Sequence, residues 1–156
     1  MRVIPLFIDT LNIECLKNTP ISLDGFHWDE HGFQIHLLNG YLAQSPESSA
    51  FETDATIRVK IIFPPDVLSV RVLSEMQSWK IQDQMFIWRQ ALEAQQKYFY
   101  PIFVVSASEY IDWYKETETI DAPYRYQNLK HYFFFIDYVR IEVIDDRLPT
   151  IIEERI

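Results

Sequence analysis

Five consecutive residues, His27-Trp28-Asp29-Glu30-His31, carry the spacing of the inverted zinc-peptidase motif H-x-x-E-H. On a helix, imidazoles at i and i+4 share a face and can aim at one Zn²⁺. The carboxylate beside them then takes a proton from the metal-bound water. The surroundings point to another geometry. No apolar stripe of helical period runs through the segment, and Gly25 and Gly32 bracket it. Phe33-Gln34-Ile35-His36-Leu37 alternates with strand period, and Gly25-Phe26-His27-Trp28 reads as its partner. Asp29-Glu30-His31-Gly32 is then the turn, with Gly32 free to take positive φ. In a solvated turn the two histidines need not converge, and no third ligand stands out among the many downstream acids. A metal-dependent hydrolase using His27, Glu30 and His31 is the alternative function; the expectation is no metal and no cofactor.

Other reactive side chains lack supporting neighbours. Cys15 lies between Glu14 and Leu16 with no base or helix start to lower its pKa, so a small packed thiol is expected. His36 lies on a strand and His131 opens an aromatic one, where hydrogen-bonded structural histidines are usual. The chain has no G-x-S-x-G, no phosphate-cradling glycine loop and no dinucleotide fingerprint. Its glycines are only three, at Gly25, Gly32 and Gly40. Members of a Ser-His-Asp triad can lie anywhere in a chain, so the sequence leaves that arrangement open. The expectation is a protein that is not an enzyme.

The elements that must position these residues follow from period and punctuation. Thr56–Phe63 alternates as a strand with Ile57, Val59, Ile61 and Phe63 on one face, and Pro64-Pro65-Asp66 breaks it. A second strand follows through Leu68, Val70 and Val72, and antiparallel pairing of the two across the short turn is the simplest arrangement. Gln82–Lys97 is rich in helix formers. Tyr98–Val105 is β-branched and aromatic, hence a strand. Ser106-Ala107-Ser108-Glu109 reads as a capping box that starts a short helix reaching Thr117. Thr117–Asn128 is a loop. His131–Ile136 and Val139–Val143 are strands joined at Asp137-Tyr138, and Ile151–Ile156 is a tail. The sum is a single α+β domain over residues 1–156, with a largely antiparallel sheet of about seven strands and two helices.

Composition narrows the function classes. The chain has 156 residues, 23 acids against 14 bases, and a formal net charge of −9. Nucleic-acid binding is not expected, since that needs clustered Lys and Arg on phosphates. One cysteine rules out a scaffold built on internal disulfides and suits a reducing compartment. Nothing approaches 18 uninterrupted apolar residues, and the N-terminal apolar stretch ends at Asp9 without a cleavage site. A soluble cytoplasmic protein without membrane contact is expected. The negative charge falls on the first and last thirds, whereas residues 56–103 are slightly basic. Acids from the two ends, including Asp24, Asp29, Glu30, Glu47, Glu52 and Asp54 with Glu109, Asp112, Glu116, Glu118, Asp145 and Asp146, could gather into a face that steers a basic partner. Scattered over the surface, the same charge would simply keep the protein soluble. Tyr110, Trp113, Tyr114, Tyr124, Tyr126 and Tyr132 lie among the later acids, and such residues either anchor interfaces or fill a small aromatic core.

The segments Ser108-Glu109-Tyr110-Ile111-Asp112-Trp113, His131-Tyr132-Phe133, Ile141-Glu142-Val143-Ile144 and Leu148-Pro149 resemble the ending of small bacterial proteins, some similar to immunity proteins of polymorphic toxin systems. The resemblance covers about a third of the chain and carries over no inhibitory residue. It implies a cytoplasmic bacterial binding protein that neutralises a cognate toxin. The resulting expectation is an inhibitor that covers a basic, nuclease-type active surface with Asp29, Glu30, Glu109, Asp112, Trp113, Glu116, Asp145 and Asp146. A further alternative is a homodimer or larger homo-oligomer whose open edge, Tyr98–Val105, pairs with its own copy.

Overall fold

The computed structural model describes residues 7–11, 13–17, 19–41, 54–73, 90, 94, 102–117, 123–137 and 139–156. The chain forms two compact units, Met1–Asn12 with Leu68–Arg147 and Ile13–Val67 with Leu148–Ile156. The fold is α+β and its strand ladders are antiparallel.

The larger unit holds a five-stranded sheet made of β1 (Phe7–Thr10), β5 (Ser69–Leu73), β6 (Ile102–Ser106), β7 (Lys130–Ile136) and β8 (Val139–Asp145), in the order β1-β6-β7-β8-β5. One helix, α1 (Glu109–Thr117), packs on it. Strand alternation divides the aromatic run of β7 between two faces. Tyr132, Phe134 and Ile136 share a face with Ile141 and Val143, whereas His131 and Phe133 share the other with Glu142 and Ile144. All are buried. Each large apolar side chain taken out of water contributes about 1.5–3 kcal/mol, so the burial in this sheet is a substantial source of stability. The fully buried Tyr132 donates its hydroxyl to the Arg147 carbonyl at 3.1 Å, and burial pushes its phenol up to about 12. β7 and β8 join at Asp137-Tyr138 as the sequence indicates, and Asp137 takes φ 50° to close the turn.

The smaller unit holds β2 (Ser22–Asp29), β3 (Gly32–Leu38), β4 (Ile57–Phe63) and β9 (Thr150–Arg155) in the order β2-β3-β4-β9. Phe33, Ile35, Leu37, Val59, Ile61 and Phe63 form its buried face. The opposite face carries cross-strand charge pairs, Arg58 with Asp24 at 2.8 Å and Lys60 with Glu154 at 2.7 Å.

Several expectations need correction. The strands lie in two sheets and exceed the seven or so anticipated, and one helix is described. The helix read over Gln82–Lys97 falls outside the described residues save Gln90 and Ala94. β4 and β5 do not pair. The Pro64–Val67 turn, closed by Val67 N–H on the Pro64 carbonyl, passes the chain to the other sheet, where β5 pairs with β8. Apolar alternation fits either partner and could not decide between them. β6 lies between β1 and β7, so the Tyr98–Val105 segment is no open edge where it is described. Residues 151–155, expected as a tail, complete a sheet as β9.

Gly32 has φ 119°, and a Cβ there would sit 1.8 Å from the Phe63 carbonyl oxygen. Gly25 would present its Cβ to open space. Gly32→Ala is therefore expected to destabilise the chain by about 3 kcal/mol or more, from strain plus backbone clash. Gly25→Ala should be near neutral. Urea unfolding of the two variants checks both.

Candidate functional site

The site begins at a turn between strand and helix. β6 ends at Ser106, Ala107 takes φ 51°, and the chain enters α1 at Glu109. Ser108 is the cap. Its Oγ accepts the Ile111 N–H at 3.1 Å, and its carbonyl accepts the Asp112 N–H. This corrects the S-x-x-E reading. Ser106 stays in the strand, and Glu109 becomes the first helical residue, where its charge suits the positive end of the helix dipole. The sharp bend at Ala107, which a sequence pattern does not display, shifts the cap by two residues.

Helical spacing then sorts α1 into two faces. Tyr110 and Tyr114 turn inward onto Ile144 with Leu68, Ile111 and Leu129 around them. Glu109, Asp112, Trp113 and Glu116, at i, i+3, i+4 and i+7, share the outward face, and all four are exposed. Trp113 is 50% exposed, yet its ring stacks on Tyr110 with centroids 5.7 Å apart. Glu109, Asp112 and Glu116 form no ion pair among the described residues. These acids stand on either side of a held indole, with no described cation paired to them.

Beneath this face lies a polar chain that ties α1 to three strands. Ser108 Oγ bonds His131 Nδ1 at 2.7 Å, and His131 Nε2 bonds Glu142 Oε1 at 2.9 Å. Arg71 closes on Glu142 with two hydrogen bonds of 2.6 and 3.0 Å. The Arg71 guanidinium also lies 3.8 Å from the centre of the Tyr110 ring, whose hydroxyl bonds Ser69 Oγ at 2.6 Å. Ser108, His131 and Glu142 are buried. Burial pushes the Glu142 carboxyl up, but the bonds and charge of His131 and Arg71 outweigh it and hold it down at about 2. Arg140 Nε lies 3.3 Å from Glu142 Oε2 without hydrogen-bond alignment, and burial lowers the pKa of its guanidinium.

The remaining predicted residues are placed elsewhere. Asp145 is fully buried and accepts hydrogen bonds from Arg147, and desolvation raises its pKa. Asp146 is held by Arg125 at 2.7 Å, which keeps its carboxyl down at about 2. Neither offers free charge to a partner, because both close an ion-pair cluster at the end of β8. Asp29 and Glu30 are exposed, but in the smaller unit. Asp29 accepts the His31 N–H at 2.7 Å, and its contacts with His31 and His27 keep its carboxyl low.

The H-x-x-E-H segment spans β2 and its turn instead of a helix. His27 lies 3.2 Å from Asp29, and His31 lies 3.6 Å from Glu30. Among the described residues no three His, Cys, Asp or Glu side chains gather as metal ligands. Burial, with help from Glu153, pushes the Cys15 thiol up to about 11, which makes it a poor nucleophile. No described helix is long and apolar enough to cross a membrane.

Sequence reasoning weighed His131 alone and missed Ser108, Arg71 and Glu142 as its company. One signal was present. Pairing the two strands about Asp137-Tyr138 puts residue 133 opposite 142, so His131 and Glu142 share a face one diagonal apart. Comparisons with protein-family models, with curated proteins and with solved structures found no match.

Because Glu142 titrates lower folded than its ordinary 4.5, its contribution is complete above about pH 5 and disappears as the pH falls toward 2. Urea unfolding should show wild type about 3 kcal/mol more stable than Glu142→Gln at pH 7, with the gap closing as pH falls through that window.

Proposed function

We propose that this chain works by binding protein, with the outward face of α1 as the contact. The observation that carries this reading is the convergence of Glu109, Asp112, Trp113 and Glu116 on that face, with no cation of the described chain spent on the three acids. A partner that fits is basic. Carboxylates at helical spacing draw it in, with association speeded by about 10 to 10³-fold at low salt. An indole already fixed against Tyr110 loses little conformational freedom on docking, which is what makes a Trp an anchor.

The more specific form of the proposal is an immunity-type inhibitor of a bacterial toxin. It rests on the resemblance carried by Ser108–Trp113, His131–Phe133, Ile141–Ile144 and Leu148-Pro149. The carboxylates then stand in for substrate phosphates on a nuclease-type cleft and block it sterically. The inhibitor itself makes and breaks no bond in that reaction.

Coexpression with the product of the adjacent upstream gene, followed by pull-down of the tagged chain, tests the proposal. A stoichiometric complex that weakens with salt is expected. Trp113→Ala should weaken it at least about tenfold. Neutralising Glu109, Asp112 and Glu116 together to Gln, Asn and Gln should slow association and flatten the salt dependence. No complex at micromolar concentrations counts against the reading.

A further inference from the structure

We propose that Ser108, His131 and Glu142 also form a nucleophile–base–carboxylate triad able to hydrolyse small acyl esters, an activity independent of protein binding by the helix face. A triad is recognised by geometry and role, since its members come from unrelated places in a chain. Here they come from the cap of α1, from β7 and from β8, and the two links are 2.7 and 2.9 Å. The hydrogen positions follow from the chemistry. An ionised carboxylate only accepts, so His131 Nε2 carries the hydrogen that meets Glu142. In the neutral ring Nδ1 then has its lone pair aimed at Ser108 and accepts the hydroxyl proton. The ring is turned relative to the familiar protease arrangement, in which Nε2 faces the serine. Either nitrogen serves, because the carboxylate selects the tautomer.

The surroundings supply the other parts. Ser108 sits where a strand turns into a helix; the Ile111 and Asp112 N–H groups are spent on its own Oγ and carbonyl, which leaves the N–H groups of Glu109 and Tyr110 in the first turn beside it. Donors so placed suit the oxyanion of a tetrahedral intermediate. Arg71 hydrogen-bonds the Glu142 carboxylate from the side away from Ser108 and holds it ionised, as the triad requires. Ser108 is 5% exposed, between exposed Ala107 and exposed Glu109, which limits any substrate to a small acyl group.

In the first step Ser108 Oγ bonds the acyl carbon and its proton passes to His131 Nδ1. The ester C–O bond breaks, and the leaving alkoxide takes that proton and departs as the alcohol. Water then attacks the acyl-serine and gives a proton to His131. The carboxylic acid leaves, and Ser108 recovers its proton from the imidazole. Water is the only co-reactant.

The test is incubation of the full chain with a fluorophosphonate, followed by intact mass and peptide mapping, beside turnover of p-nitrophenyl acetate. One adduct is expected, on Ser108. Ser108→Asn keeps a residue that caps helices, and should fold, as far-UV circular dichroism reports, without being labelled. His131→Gln should slow labelling by about a hundredfold or more. A wild-type chain left unlabelled at millimolar probe overturns the proposal. So does an adduct on another serine, or an equal labelling rate in folded His131→Gln. Because mapping is done on the wild type, the result stands whatever happens to the variants, and whether or not a protein partner is found.

Discussion

A carboxylate with almost no access to water anchors the polar chain that ties α1 to three strands of the larger unit. Glu142 is 3% exposed and still ionises more readily than a carboxylate in water, because His131 and Arg71 hydrogen-bond the charged form. Desolvation on this scale costs several kcal/mol unless each lone pair finds a donor in good geometry. Every partner therefore has a fixed position. Arg71 must come from the neighbouring strand β5, His131 from β7, and Ser108 must reach down from the helix cap to hold the far side of the imidazole. The helix is seated by this chain as much as by the apolar contact of Tyr110 and Tyr114 with Ile144.

That seating decides which charges remain for the outside. The formal −9 suggests a broadly acidic surface, but much of it is consumed locally. Arg58 holds Asp24, Lys60 holds Glu154, and Arg125 holds Asp146. What remains on α1 is a short stripe with an aromatic ring in its middle. Of the described acids of the first third, Glu14, Asp24, Asp29, Glu30 and Asp54 lie in the smaller unit and Asp9 in the larger one, which also holds the acids described from 104–147.

The hairpins were legible in the sequence because a turn and two alternating segments lie side by side. Gly32 at φ 119° and the Asp137 turn are cases where residue type announces backbone shape. The β4–β5 pairing was misread because alternation fixes a strand's faces and says nothing about which neighbour it meets. The outward stripe of α1 followed from helical spacing once Tyr110 and Tyr114 were seen to face the core. The fates of Asp145 and Asp146 did not, since an acid that closes a buried ion pair looks the same in sequence as one in solvent. The polar chain was half legible: His131 stood out, but Ser108 and Arg71 join it only through tertiary pairing.

The smaller unit's sheet is completed by β9, which pairs with β4 from beyond the Leu68–Arg147 stretch of the other unit. During synthesis β2, β3 and β4 emerge early and must wait, with one side of β4 lacking its strand, until residues 150–155 leave the ribosome. Completion of that sheet is thus postponed until the whole 68–147 segment has been made, and a chain stalled before Thr150 would carry an unfinished sheet border open to chaperones or to other nascent chains.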